Sequence, residues 1–122
     1  MIEVIVEPCG IIVAGHANYA EYGKDIVCAA VTAFVQALIK SLEDLTHDKI
    51  KWDIEPGMAF IKYRDLSEAG KLLVDSFFLG ICQITDEFPE YVKISTEMSE
   101  NYSNGTDLDG LGRKGNNEKQ SI

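Results

Sequence analysis

Residues 10–39 read GIIVAGHANYAEYGKDIVCAAVTAFVQALI, and the fold turns on where this stretch changes period. Its opening, GIIVAGH (10–16), is short and rich in β-branched residues and ends in a glycine and a histidine, which predicts a strand. Residues 17–24 have no clean period and carry Asn18, Tyr19, Tyr22 and Gly23, so they form a loop. Asp25 stands where an N-cap belongs, because its carboxylate can accept from the free N–H groups of the next turn. From Ile26 the sequence IVCAAVTAFVQALI stops alternating, and a helix is predicted from 26 to about 45. This first half is apolar nearly all round, so deep burial is expected. The end, SLEDLTHD (41–48), is polar and exposed.

Upstream, IEVIV (2–6) alternates and Pro8-Cys9-Gly10 supplies a turn, so the first two strands make a hairpin. Downstream, KIKWDIE (49–55) puts Ile50, Trp52 and Ile54 on one face. Pro56-Gly57 turns the chain, and MAFIKY (58–63) returns as the partner strand. Ser67 caps a second helix, 68 to about 87, whose broad apolar face holds Leu72, Leu73, Phe77, Leu79, Ile81 and Ile84. Pro89 ends it, and YVKIST (91–96) is a last strand. The order β-β-α-β-β-α-β makes an α+β fold, with two helices packed on a mostly antiparallel five-stranded sheet. A single helical layer leaves a sheet face or a helix face in need of cover, which suits a homodimer.

The 122 residues fit one domain, placed at 1–97. Residues 98–122 are rich in Asn, Gly and Ser and are expected to be disordered. The glycines of GLGRKG (110–115) follow no strand and open no helix, so they are not a phosphate loop. A formal charge of −9 excludes a non-specific nucleic-acid binder, which needs a basic face. The N-terminus lacks the basic start of a signal peptide, and no apolar run is read as long enough to span a bilayer. The expectation is a cytoplasmic protein with no membrane and no direct nucleic-acid partner. Cys9, Cys28 and Cys82 are too few and too scattered for a disulfide framework, and with His16 and His47 they give no zinc-ligand spacing. No metal and no cofactor are expected.

Cys28 falls in the first turn of the predicted helix, where free N–H groups and the positive end of the helix dipole favour thiolate over thiol. His16 ends the preceding strand, and the loop between them can fold back to bring imidazole and sulfur together. An imidazole there takes the thiol proton and later protonates a leaving amine. The free N–H groups of the helix start are also available to a developing oxyanion. On spacing alone, however, packing is the commoner role of a cysteine in IVCAAV, and a loop role the commoner one for His16. Asp25 reads first as a cap, Thr32 as a residue one turn beyond Cys28, and Gly15 as a strand end or a close approach. Tyr19 and Tyr22 either meet a peptide or cover the edge of the core, and Gly23 is a hinge or an ordinary turn.

GHANYAEYGKDIVCAAVTAF (15–34) resembles the signature of the ribosomal-processing cysteine proteases (Prp): G-H-A, a short loop, then G-x-D-x-V-C-A-A-V-S. Gly15, His16, Ala17, Gly23, Asp25, Val27, Cys28, Ala29, Ala30 and Val31 match. The element order agrees, and GICQITDEFPEYVKI (80–94) is similar to the family's second helix end and last strand. The resemblance covers residues 1 to about 96. It implies a cysteine endopeptidase that removes the short N-terminal extension of a large-subunit ribosomal protein, number twenty-seven. It puts the nucleophile on Cys28 and the general acid/base on His16, with Asp25, Gly15 and Thr32 in support. Thr32 replaces the family's serine and keeps the hydroxyl. The resemblance also implies a homodimer, and a mobile cover over an apolar peptide groove, here residues 17–24, which carry Tyr19 and Tyr22 and have Gly23 as the pivot. The rival reading is a non-catalytic, ribosome-associated binding module of the same shape.

Overall fold

The computed structural model describes residues 1–21 and 24–96. Tyr22 and Gly23 of the expected cover, and the tail expected to be disordered, lie outside the described residues. The elements are β1 (Ile2–Glu7), β2 (Gly10–Ala14), α1 (Ile26–Leu45), β3 (Ile50–Glu55), β4 (Met58–Tyr63), α2 (Glu68–Glu87) and β5 (Val92–Thr96). This is the expected β-β-α-β-β-α-β order. The sheet runs β3-β4-β2-β1-β5, so β2 is central. All pairs are antiparallel except β1 with β5, which are parallel.

The register puts the core on one face of the sheet. Val4 lies opposite Val13 and Ile94, and Val6 opposite Ile11, which faces Ile61 in turn. Val4, Val6, Ile11, Ile61 and Val92 are all fully buried, and both helices close over that same face. α1 borders β3, and α2 borders β5.

α1 contains β-branched residues that form helix poorly in isolation, so its cap and its packing must hold it. Its buried residues are Val27, Val31, Val35, Leu38, Ile39 and Leu42, a single face at i, i+4, i+8, i+11, i+12 and i+15. Deep burial all round was the expectation, and the structure corrects it. Ala29, Thr32, Ala33 and Gln36 lie exposed on the opposite side. A second correction concerns length: Ile26–Leu45 is long and apolar enough to cross a membrane by length and composition. Here its branched face is packed into the protein core instead.

The two helix ends are tied together through the loop between α1 and β3. Thr46 Oγ1 donates to the Leu42 carbonyl at 2.6 Å and accepts from Asp48 N–H at 3.0 Å. Asp48 then accepts from Ser67 N–H at 3.0 Å and from Ser67 O–H at 2.8 Å. Ser67 in turn caps α2 by accepting from Gly70 N–H. The Ser67 N–H bond is the main reason the Asp48 carboxyl lies below its ordinary pKa.

The apolar face of α2 is narrower than its sequence implies. Val74, Phe77, Ile81 and Ile84 are buried, but Leu72 and Leu79 are 69% and 65% exposed. A residue seven positions on has turned only about 20° short of two full turns, so Leu72 and Leu79 share one outer stripe. Ile81→Ala should therefore cost about 2–5 kcal/mol in urea unfolding. Leu79→Ala should stay within about 0.5 kcal/mol of the parent.

Candidate active site

The site is assembled where the central strand stops. After Ala14 the chain reaches Gly15, whose φ of 100° is left-handed backbone that a side chain adopts only under strain. A Cβ there would also collide with the Met1 carbonyl. The close approach at Gly15 is therefore to the chain's own backbone. Gly15 N–H donates to the Gly57 carbonyl at 2.9 Å, which pins the end of β2 to the β3–β4 turn. His16 follows directly, with its imidazole against Gly57. A Cβ on Gly57 would come within 2.8 Å of His16 Nε2, and Gly57 too has a positive φ, 78°.

Asp25 organises the other side. Its Oδ1 accepts from Val27 N–H at 3.0 Å and Cys28 N–H at 2.9 Å, the N-cap that the sequence predicts. Its Oδ2 accepts from Tyr19 N–H at 2.9 Å and Ala20 N–H at 3.5 Å. Burial pushes the Asp25 carboxyl up, but the N–H bonds from Cys28, Tyr19 and Ala20 and a contact with the Cys28 thiol outweigh it. The net effect holds the carboxyl below its ordinary pKa.

One expectation changes here. The Val27 and Cys28 N–H groups are already bonded to Asp25, and Ala29 N–H to the Asp25 carbonyl at 3.1 Å. Two are spent on the cap and the third on the first helical hydrogen bond, so none of the three is a free donor for an oxyanion. The donor that reaches the sulfur comes from the loop: Ala17 N–H lies 3.4 Å from Cys28 Sγ.

Cys28, His16, Asp25, Gly15 and Thr32 all border one cavity of about 830 Å³. That volume is within the range of small-molecule and cofactor pockets. Its α1 wall is Ala29, Thr32, Ala33 and Gln36, and its opposite wall is Ile54, Glu55, Pro56, Gly57 and Met58. Among the described residues, no hydrogen bond joins His16 to Cys28 or Thr32 to Cys28. Tyr19 is not brought to the cavity. Its ring stands edge-on to Phe88 at 5.5 Å and Tyr91 at 5.2 Å, where it anchors the start of the loop on the end of α2.

Of the lining residues, Ala33, Gln36, Asn18 and the β3–β4 turn escaped the sequence reading. Ala29, Thr32, Ala33 and Gln36 recur at i, i+3, i+4 and i+7, and this run of small and polar residues was the available signal for an uncovered helix face. Asn18 and the β3–β4 turn gave none, because their place depends on how two hairpins pair.

Comparison with known proteins now bears on this arrangement. Residues 1–93 match the family model described as cysteine protease Prp. The chain belongs to that family. Its members are cysteine proteases, and this chain is therefore one. A ribosomal processing cysteine protease Prp of Staphylococcus aureus (strain Mu50) is 27% identical over 88 residues, covering 70% of this chain and 83% of the relative. The Prp of Bacillus subtilis (strain 168) is 25% identical over 91 residues, covering 69% and 81%. In structure, an essential ribosomal processing protease Prp from S. aureus, in complex with a covalently linked product peptide, superposes with a TM-score of 0.75. That match covers 80% of this chain and 100% of the other at 24% identity, and it establishes the shared Prp fold.

Removing the Asp25 carboxylate should release both the helix cap and the loop. Asp25→Ala is expected to cost about 1 kcal/mol, as loss of a cap does. A carboxyl held low in the folded state contributes stability above its unfolded pKa, about 3.9, and loses it as pH falls through the lower folded value. The stability gap between parent and variant should therefore be constant above about pH 4 and narrow at more acid pH. Urea titrations across that range check this.

Proposed function

We infer that this protein is an endopeptidase that removes the short N-terminal extension of a large-subunit ribosomal protein, number twenty-seven. Cys28 is the nucleophile and His16 its acid/base partner. The observation that carries the reading is that Cys28 and His16, from the start of α1 and the end of β2, open on one cavity. The names of the relatives support the ribosomal substrate. The family resemblance of residues 15–34 supports the assignment of roles.

In this reading His16 takes the proton of the Cys28 thiol, and the thiolate attacks the scissile carbonyl. The imidazolium returns its proton to the departing amine, and water releases the acyl group. The imidazole lies against Gly57 and makes no hydrogen bond to Cys28 among the described residues, so in this reading it turns toward the sulfur. The ring turns on its own side chain, while Asp25 and the Tyr19 ring contacts hold the start of the loop that follows. Aliphatic residues on both walls, including Ala33, Ile54 and Met58, suit a substrate with aromatic residues just before the cut. Thr32 keeps a hydroxyl at the cavity wall where the family has serine. The protein acts as a homodimer in this picture, and light scattering that returned the mass of a single chain would remove that part of it.

The test is a synthetic peptide carrying the extension, with adjacent aromatic residues before the cut, followed by mass spectrometry. One cut after the aromatic pair is expected. Cys28→Ala and His16→Ala should each lower kcat by about 10³-fold or more. An intact peptide after prolonged incubation, or a Cys28→Ala chain that cuts as fast as the parent, rules the reading out.

A further inference from the structure

The amide that points at the sulfur has a consequence for the reaction. With Val27 and Cys28 N–H bonded to Asp25, those two amides of the start of α1 are not free for a developing negative charge. Ala17 N–H reaches Cys28 Sγ at 3.4 Å instead. Ala17 is only 3% exposed, although its neighbours His16 and Asn18 are both exposed. Its methyl group packs in the core, which fixes the direction of its N–H. Behind it, Asn18 turns the chain with φ 58°, and Tyr19 and Ala20 N–H both close onto Asp25. Three amides of the loop thus point toward the start of α1, and one of them faces the reacting atom.

We propose that the Ala17 N–H is a catalytic group, which first holds the Cys28 thiolate and then passes to the oxyanion of the tetrahedral intermediate. The proposal rests on Cys28 being the nucleophile. In the step, the thiolate pair forms a bond from Sγ to the scissile carbonyl carbon, and the carbonyl π pair moves onto oxygen. Negative charge leaves sulfur and appears on an oxygen attached to the same carbon, so a donor in reach of one is in reach of the other. On collapse the oxygen pair restores C=O, the C–N bond breaks, and nitrogen takes the proton that His16 had removed from the thiol. The donor is already aimed at its target and needs no reorganisation during the reaction, which is what gives such a group its catalytic weight. It also gives the G-H-A sequence a physical meaning: His16 supplies the proton and Ala17 the electrostatic partner, from adjacent positions.

The clean experiment replaces the residue-17 amide by an ester, which deletes the N–H and leaves the side chain. A synthetic segment 1–27 with lactate at position 17 is ligated to the rest of the chain at Cys28, and an all-amide chain made the same way is the control. The ester chain should cleave the extension peptide with kcat lowered about 10²- to 10³-fold and KM little changed. Its Cys28 should also be alkylated by iodoacetamide at neutral pH about three- to tenfold more slowly, because the thiolate has lost a donor. Alkylation is read by peptide mapping, since Cys9 is exposed and reacts too. Unchanged kcat in a folded ester chain overturns the proposal and leaves the Cys28 assignment standing. Activity surviving Cys28→Ala in the control overturns both. If the ester chain does not fold, the native chain decides: capping Cys28 with a peptide aldehyde should move the Ala17 amide proton downfield in a 15N–1H spectrum. An amide that stays in place overturns the proposal.

Discussion

Asp25 uses its two carboxylate oxygens in different directions. Oδ1 closes the first turn of α1 through Val27 and Cys28, and Oδ2 gathers the loop through Tyr19 and Ala20. Because both oxygens belong to one rigid group, the helix start and the loop that follows His16 have a fixed relation. Cys28 is placed by the first pair of bonds, and the Ala17 N–H by the turn that leads into the second. A side chain that sequence patterning reads as an ordinary cap is thus also the joint between the helix start and the loop. Its charge makes each of these hydrogen bonds stronger than a neutral cap would.

The other half of the site depends on backbone freedom. Gly15 brings the end of β2 against the Met1 carbonyl, and its N–H holds the β3–β4 turn. Gly57 then offers a surface without a side chain, and the imidazole lies on it. Both glycines have positive φ, so any replacement would meet strain as well as a collision. The histidine is held by shape and the cysteine by hydrogen bonds, and only the first arrangement lets the ring leave its place cheaply.

Much of the fold was legible because the signals were local. Alternation in 2–6 and 58–63, the caps Asp25 and Ser67, and the stops at Pro56-Gly57 and Pro89 each act within a few residues. The structure agrees with them to within a residue or two. What could not be read is what depends on distant partners. The parallel pairing of β1 with β5 joins the two ends of the described domain. The outward turn of Leu72 and Leu79 follows from where α1 lies, not from any property of leucine. The cavity's second wall exists only because β4 pairs with β2 and so carries Ile54 and Pro56 to face α1. Within the candidate site, the residues carried by the motif were visible as a group. Their hydrogen bonds were not, and these reassign the helix-start amides from oxyanion to cap.

α1 meets two different demands on opposite sides. Val27, Val31, Val35, Leu38 and Leu42 fill the core, where loss of volume costs stability. Ala29, Ala33 and Gln36 face an open cavity, where a change of volume alters only what fits beside them. Sites on opposite faces share few neighbours, so substitutions on the two sides should combine almost independently. A lineage carrying this helix can then exchange one peptide preference for another by small steps along the Ala29–Gln36 stripe, without first gathering compensating changes in the core. The helix that contains Cys28 thus leaves its cavity-facing side free to vary.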